Sequence, residues 1–494
     1  MNVLIYSHVA LWTIHHAEAV ELCLRHLDLG DTVYLLSCDG ALTSCPANPF
    51  HDTAKCHACK AQTNWTLGKV LKSRVIDVRL PEQHVINQAP SFRSINELAR
   101  YSEHDIPFGE LVVSQLVGDL RDSFFPIDEH RERVAALLSS AKHLYQFATD
   151  LIAGNNIAKA YIWNGRRCSD GPVSFAARDC GIAFETFISA RKPSHYMTLP
   201  APRVHDLNVN KTLLANVVKD AEERHADEYI IKEAAVFFQQ QRFGTGDYPG
   251  FIDFTTKFAD PPEHRLNTAQ KPVLAIFPSS YWEYYGMDDY RGGVYENHYD
   301  GLERILTDRD IVAKWDCHIR WHPNLATCGP YERERISTVI ARTKKDCHHY
   351  EPESSLDSYA LIEQSAAVVT FGSTIGIEAS YYQKPSILVG RALYEDLDAC
   401  YRPNSHEELK SVLARIPLPK DRYGAVKFGF YQRHRGATKF RFLVHKGGWS
   451  FDYLGCPLKA QQRSSLTVKA KHKLKRLIAT SRFVRVTQQD GSSR

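Results

Sequence analysis

The sequence predicts an α/β protein with two parallel-sheet domains, and two observations lead to this prediction. Short apolar runs alternate with helical stretches in both halves of the chain, which is typical of parallel sheets covered by helices. The chain has 494 residues, 44% of them hydrophobic, and this length exceeds what a single core normally fills. We therefore expect an N-terminal domain over 1–250, a C-terminal domain over 251–458 and a tail over 459–494.

The first half begins with a strand, a helix and a strand. Asn2 to His8 and Asp31 to Cys38 are apolar runs, and the stretch between them suits a helix. The alternation continues with predicted helices at 109–123, 128–153 and 175–178 and predicted strands at 158–163 and 184–188. Polar helices are predicted over 204–243, and the domain boundary follows at 245–272.

The second half repeats the same pattern. Strands are predicted at 273–277, 316–321, 366–370 and 386–389, and helices at 299–306, 331–343, 358–364 and 374–382. Two Rossmann-like domains that face a central cleft are the simplest architecture for this order.

The net charge of +4 is unevenly distributed along the chain. The tail over 459–494 has ten Lys and Arg residues and one acid, Asp490, so it carries +9 and the remainder carries −5. Apolar residues recur in it at helical spacing, and a basic amphipathic helix binds anionic bilayers. We expect the tail to contact the inner membrane face; a solvated tail is the alternative. The acidic body argues against a nucleic-acid partner.

Neither a membrane-spanning apolar run nor a signal peptide is recognisable in the sequence. The predicted location is therefore the cytoplasm, peripheral to the membrane, where most of the twelve cysteines would stay reduced.

The segment 366–379 predicts an anion-binding turn. A buried strand leads into Gly372-Ser373-Thr374 and then into a helix that carries Glu378. Unpaired N–H groups at a helix start favour phosphate, and the two hydroxyls add donors. The competing interpretation is that Ser373 is only an N-cap.

A second motif ends the strand at 316–321. Arg320, His322 and Asn324 alternate onto one side, and Pro323 stops the strand, so we expect His322 to be presented to a ligand. A hydrogen-bonded histidine at a strand end is the alternative.

Together these motifs resemble the C-terminal half of bacterial capsule and surface-polysaccharide glycosyltransferases of the GT-B type. The resemblance rests on Arg320-Trp-His-Pro-Asn-Leu325, Thr370 to Ala379, Lys384 to Val389 and Phe277-Pro-Ser-Ser280. The His-Pro and Ser/Thr pairs are also similar to those of sialyl, Kdo and glycerophosphate transferases that use cytidine nucleotides. The resemblance implies nucleotide binding by His322, Ser373 and Thr374, and a ribose contact by Glu378. We add Arg320 to the expected donor site because it lies on the same side of the strand end as His322.

The same resemblance implies a general base in the N-terminal domain, because inverting transfer removes the acceptor proton. The sequence offers several candidates: His8, His15, Glu18, Glu110, Asp170 and Glu185. We favour Glu110 and Asp170, which lie in loop-like positions close to glycines, and we expect Asn164 and Arg166, just after a strand, to contact the acceptor. No metal is required for this chemistry.

Four cysteines lie close together after the second strand, at Cys38, Cys45, Cys56 and Cys59. Four thiolates complete a tetrahedral zinc site or hold an iron-sulfur cluster. The spacing of the first pair is unlike a zinc ribbon, so loop thiols are the alternative to structural zinc.

The leading functional hypothesis is transfer of a sugar from a nucleotide-sugar donor, with CMP-Kdo or another CMP-sugar as the candidate, to a surface polysaccharide or lipid-linked glycan. A UDP-sugar 2-epimerase and a noncatalytic polysaccharide-assembly protein with a degenerate nucleotide site are the alternatives.

Overall fold

The computed structural model describes residues 1–82, 90–190, 194–244 and 271–459. Most of the predicted boundary segment and the tail from residue 460 therefore lie outside the described residues. Met1–Leu458 form one compact unit. In the described part of the chain, no helix has the length and apolar character needed to cross a bilayer.

The strands, in chain order, are β1 Asn2–Tyr6, β2 Thr32–Ser37, β3 Ile76–Arg79, β4 Lys159–Trp163, β5 Ala183–Ser189, β6 His195–Leu199, β7 Val273–Phe277, β8 Asp316–Arg320, β9 Cys347–Tyr350, β10 Ala367–Thr370, β11 Ser386–Leu388, β12 Thr438–Lys439, β13 Val444–His445, β14 Phe451–Tyr453 and β15 Cys456–Pro457.

The α-helices, in chain order, are α1 Thr13–Asp28, α2 Thr53–Trp65, α3 Ile95–Ala99, α4 Phe108–Leu120, α5 Arg131–Gly154, α6 Gly171–Asp179, α7 Leu207–Arg224, α8 Asp227–Phe243, α9 Tyr281–Tyr284, α10 His298–Thr307, α11 Arg309–Lys314, α12 Pro330–Thr343, α13 Ser358–Gln364, α14 Ile375–Tyr381, α15 His406–Leu413 and α16 Tyr423–His434.

Two parallel sheets have the same internal strand order. The first runs β12-β6-β5-β4-β1-β2-β3, with β6 and β12 antiparallel at one edge. The second runs β11-β10-β7-β8-β9 and is parallel throughout. In each sheet the first strand is central and the chain moves to one side and then to the other, which is the Rossmann order. The predicted α/β fold with two Rossmann-like sheets is confirmed.

This order creates a switch point in each sheet, between β1 and β4 and between β7 and β10. At such a point the connections leave in opposite directions and open a crevice at the carboxyl ends of the strands, where ligands bind in open α/β sheets. The central strands are buried because helices cover both faces: all five residues of β7 and the last four of β1 are buried.

The chain passes between the two sheets twice. Helices α7 and α8, which fall inside the predicted N-terminal domain, pack on α16 beside the second sheet, through Phe238 and Phe428. The chain then returns, since β12 pairs with β6 and the side chains of Phe451 and Leu458 join the core of the first sheet.

Candidate functional site

The turn after β10 lies at the switch point of the second sheet. Gly372 has φ +121°, and a Cβ there would lie 2.8 Å from the carbonyl oxygen of Arg391, so this close approach requires glycine. Ser373 Oγ accepts a hydrogen bond from the Ile375 N–H at 3.3 Å, and the Ser373 carbonyl accepts one from the Tyr394 hydroxyl at 2.5 Å. The Thr374 side chain is exposed. Ser373 thus caps the first turn of α14, and Thr374 faces solvent.

Two buried serines follow β7 on the other side of the same switch point. Ser279 is 4% exposed, and its hydroxyl has no hydrogen-bond partner. A Cβ at Gly372 would lie 3.9 Å from this hydroxyl, so it is adjacent to the Gly-Ser-Thr turn. A buried hydroxyl without a partner is costly, and a ligand at the switch point would satisfy it.

His322 is half-buried immediately after β8, next to the switch point. Its Nδ1 lies 2.9 Å from Ser280 Oγ and accepts the Asn324 N–H at 3.2 Å. Burial, helped by the charge of Arg320, lowers the pKa of His322 to about 4. The neutral ring therefore carries its proton on Nε2, because Nδ1 is an acceptor. His322 is thus neutral, with Nε2 as its hydrogen-bond donor.

Arg320 and Glu378 are both buried and engaged within the protein. The Arg320 guanidinium donates to the carbonyls of Trp321, Glu351 and Ser354 at 2.8, 2.8 and 3.0 Å, so it holds the segment after β9 in place. Glu378, 3% exposed on α14, accepts a hydrogen bond from the Tyr359 hydroxyl.

The switch point of the first sheet holds a histidine and an aspartate. His8 follows β1 and Asp170 follows β4, and His8 Nε2 lies 3.7 Å from Asp170 Oδ2. Asp170 also accepts the Arg167 N–H at 2.9 Å and the Ser169 hydroxyl at 3.0 Å. Burial raises the pKa of Asp170 to about 7 and lowers the pKa of His8 to about 3. Neither ring nitrogen of His8 has a hydrogen-bond partner.

His8 lines a pocket at the carboxyl ends of β1 and β2. Residues of α2 and of the loop after β2 form the rest of its wall. Of the His8–Asp170 pair, only His8 lines the pocket, and it connects the pocket to Asp170, 3.7 Å away.

The other candidate bases are engaged elsewhere. Glu110 forms an ion pair with Arg203 and accepts the Asp288 N–H at 3.3 Å; burial raises its pKa against the opposing effect of Arg203. Glu18 pairs with His15 at 3.1 Å, and Glu185 pairs with Lys159 at 2.7 Å.

A basic cluster follows β4 and faces the second half of the chain. Asn164 has φ +63° and begins the turn that carries Arg166, whose guanidinium donates to the Tyr285 carbonyl at 3.5 Å. Burial, then the charge of Arg167, lowers the pKa of Arg166 to about 10. Among the described residues, neither arginine forms an ion pair within 4.0 Å. Their charge is therefore available to an anionic ligand.

Residues 283–289 connect this cluster to the second switch point. Asn324, two residues beyond His322, donates to Glu283 at 2.5 Å, and the charge of Glu283 acts on Arg166. Arg203 pairs with Asp289 at 2.8 Å. The segment 283–289 thus contacts residues at the carboxyl edges of both sheets. Ser279, Ser280 and Arg203 were not among the site residues that the sequence predicted. Only the serines had a sequence signal, as a pair directly after a strand.

The four clustered cysteines surround the pocket beside His8. Cys56 and Cys59 lie on α2, and Asn48 Nδ2 donates to Cys56 Sγ at 3.2 Å. Burial raises the pKa of Cys38 to about 12, and it also raises the pKa of Cys45 and of Cys59. Across residues that the structure describes, no three of these sulfur atoms lie within 4.8 Å of one another. This arrangement does not fit the predicted tetrahedral zinc site.

No protein-family model and no curated protein sequence matches the chain. Solved structures align with it at low similarity. A β-Kdo 2,7-transferase, KpsC of Thermosulfurimonas dismutans, has 12% identity and a TM-score of 0.32 over 58% of this chain and 88% of that chain. A glycosyltransferase from Rickettsia africae has 12% identity and a TM-score of 0.26 over 88% and 92%.

A UDP-GlcNAc 2-epimerase from Neisseria meningitidis, bound to UDP-GlcNAc, has 11% identity and a TM-score of 0.21 over 88% of this chain and 94% of that chain. Transferases and epimerases align at similar levels, and at these TM-scores the alignments carry no argument about activity.

Proposed function

We propose that this chain is a GT-B glycosyltransferase that moves a sugar from a nucleotide-sugar donor to a surface-polysaccharide or lipid-linked glycan acceptor. The observation that carries the proposal is that both switch points hold chemically active side chains. Hydroxyls and a neutral histidine lie at one, a histidine and an aspartate lie at the other, and a basic cluster lies between them.

The donor is proposed to bind at the second sheet. Its phosphate would contact Ser373 and Thr374. The Ser279 hydroxyl and His322 Nε2 would each donate a hydrogen bond to the donor nucleotide. Glu378 is the proposed ribose contact, and Arg320 supports the site through the carbonyls after β9. The resemblance of the His-Pro and Ser/Thr motifs to cytidine-nucleotide transferases favours a CMP-sugar, such as CMP-Kdo, as the donor.

The acceptor is proposed to bind at the first sheet, in contact with Asn164 and Arg166. His8 would take the proton of the acceptor hydroxyl, and ionised Asp170 would stabilise the resulting imidazolium. The acceptor oxygen then forms the new bond to the sugar as the bond to the donor phosphate breaks. Arg166 and Arg167 would stabilise the departing phosphate. The proposal places the base function at Asp170 and His8 and leaves Glu110 as an ion-pair partner of Arg203.

Nucleotide binding is tested by thermal shift with CMP, CDP, UDP and GDP and their sugars, because a ligand that binds only the folded protein raises Tm. We expect cytidine nucleotides to give the largest rise. Ser279→Ala should reduce the rise without lowering the Tm of the free protein, since the hydroxyl has no internal partner. Ser411→Ala, at an exposed position of α15, is the matched control. No rise with any nucleotide would refute the proposal.

The two alternatives differ in their products. A UDP-sugar 2-epimerase releases UDP from UDP-GlcNAc without an acceptor, whereas a transferase needs the acceptor for turnover. A noncatalytic assembly protein retains its function when His8 or Asp170 is replaced. Acceptor-dependent release of nucleotide that is lost in His8→Ala distinguishes the transferase from both.

We further propose a cytoplasmic protein that contacts the anionic inner membrane face through its tail. The support is the charge of +9 over residues 459–494, set against −5 in the remainder.

A further inference from the structure

The face of β8 opposite the core of the second sheet is polar and buried. Cys317, Ile319 and Trp321 point into the apolar core, whereas Asp316, His318 and Arg320 alternate onto the other face and are 7%, 2% and 5% exposed. Three carbonyls accept hydrogen bonds from the two terminal nitrogens of Arg320. On the same face, Asp316 Oδ2 and His318 Nε2 are buried without a hydrogen-bond partner. Burying polar atoms in this way is costly, so a bound ligand would stabilise them.

A third side chain converges on this pair from the edge strand. β8 and β9 are parallel, and their register places His318 beside His348. The two imidazole rings stack with centroids 4.4 Å apart. Asp316 Oδ2 lies 3.1 Å from His318 Nε2, and Asp316 Oδ1 lies 3.2 Å from His348 Nε2. One ligand atom from each residue lies within 4.8 Å of the other two.

Both approaches are within ion-pair distance, and the one between Asp316 and His318 has poor hydrogen-bond geometry. Asp316 Oδ2 and His318 Nε2 are both buried, and neither has a hydrogen-bond partner although they are 3.1 Å apart. Ligand atoms at about 2.0–2.1 Å from a tetrahedral ion are about 3.3 Å from one another, which is close to the observed separations. Each histidine nitrogen thus lies at about this distance from one of the two carboxylate oxygens, and one ligand atom from each residue fits within 4.8 Å of the others.

The other nitrogen of His318 is oriented as a metal ligand requires. His318 Nδ1 lies 2.9 Å from the Tyr350 hydroxyl. When Nδ1 donates its proton to this oxygen, Nε2 is left with a lone pair, and a partner of this kind fixes the tautomer of ligating histidines. His349, the next residue along β9, differs: its Nδ1 accepts the Trp321 N–H at 3.3 Å and its Nε2 lies 2.8 Å from Thr343 Oγ1.

We propose that Asp316, His318 and His348 bind one divalent transition-metal ion, with Zn²⁺ as the best match to two imidazoles and a carboxylate. The His348 side chain is 55% exposed, so the ion is reached from solvent and water completes its coordination. His318 lies on β8, four residues before His322, which follows the strand; four residues of extended chain span about 13 Å. The ion is therefore separate from the proposed donor site and ties the edge strand β9 to β8.

The proposal is tested by titrating the full-length protein with Zn²⁺ in a calorimeter. We compare wild type with His348→Ala, whose exposed side chain can be removed with little effect on folding. Asp316→Asn is the second variant. His104→Asn is the matched control, because His104 is exposed outside the cluster with φ +49°, a conformation that asparagine tolerates.

We expect wild type and His104→Asn to bind one more Zn²⁺ ion than His348→Ala. If His348→Ala retains this ion, its affinity for it should be about tenfold or more lower than that of wild type. Any Zn²⁺ bound by the cysteines remains equal in these proteins and cancels. Co²⁺ should give tetrahedral visible bands that His348→Ala lacks. Equal stoichiometry and affinity in wild type and His348→Ala, or the same loss in His104→Asn, would overturn the proposal. The nucleotide-induced rise in Tm should not change in His348→Ala, so the two proposals fail independently.

Discussion

Replacing Asp170 by asparagine should change the pH dependence of stability in a defined direction. Burial raises the pKa of Asp170 from 3.8 to about 7, so the unfolded chain loses this proton at lower pH than the folded chain. As the pH rises from 3.8, the unfolded pKa, to about 7, the folded pKa, the unfolded state is progressively favoured. Asp170 thus destabilises the folded protein above its unfolded pKa, and the whole penalty is present above pH 7.

The size of the effect follows from the shift. Each pKa unit corresponds to 1.36 kcal/mol, and between pH 5 and pH 8 the penalty grows by about 3 kcal/mol. The asparagine side chain cannot ionise, and its carbonyl can still accept the Arg167 N–H that Asp170 accepts. The free energy of unfolding of Asp170→Asn, relative to wild type, should therefore increase by about 3 kcal/mol across this interval.

The assay is urea unfolding at each pH, followed by tryptophan fluorescence, because the Trp163 ring lies 5.4 Å from the His8 ring. Asp105→Asn, at an exposed residue with φ +61°, controls for the loss of one negative charge. A stability difference between Asp170→Asn and wild type that stays constant from pH 5 to pH 8 would refute the reasoning.

Three further predictions concern the donor site and the tail. Gly372→Ala should destabilise the protein by about 1–3 kcal/mol and abolish the nucleotide-induced rise in Tm, because the added Cβ would lie 2.8 Å from the Arg391 carbonyl oxygen. Gly181→Ala is the control: Gly181 also has a positive φ, but a Cβ there would meet no neighbouring atom, so the rise in Tm should remain. Burial lowers the pKa of His322 to about 4, so nucleotide affinity should not show a histidine titration between about pH 5.5 and pH 8; calorimetry that shows one would contradict the neutral donor. Deleting residues 459–494 should abolish sedimentation with anionic vesicles and leave nucleotide binding unchanged. Equal sedimentation of the shortened protein would exclude the tail as the membrane contact.

The strands that could be predicted from the sequence are the buried ones. β1, β7 and β10 are continuous apolar runs because both of their faces are covered. β3 and β9 lie at sheet edges, and their residues Ile76–Arg79 and Cys347–Tyr350 include charged groups or histidines, so no apolar pattern marks them. The two-residue strands β12, β13 and β15 are too short to produce any periodicity.

The candidate site divides in the same way. Gly372, Ser373 and His322 could be predicted because each follows a recognisable strand, and a strand end has a defined place in a parallel sheet. His8 and Asp170 are 162 positions apart in the sequence, and they meet only because β4 pairs with β1. That pairing is a property of the sheet order, which periodicity does not reveal. The sequence therefore favoured Asp170 and Glu110 equally and gave no sign that Asp170 lies beside His8.

The double crossing of the chain bears on how such a protein can be divided. Residues after β12 contribute Phe451 and Leu458 to the core of the first sheet, and β12 covers the edge of β6. A fragment that ends before α7 would lack these side chains and would expose a sheet edge to association with other chains. A variant that exchanges the first-sheet half with that of a related protein therefore has to transplant two separate stretches, one from each end of the compact unit, because a single cut would leave this half without part of its interior.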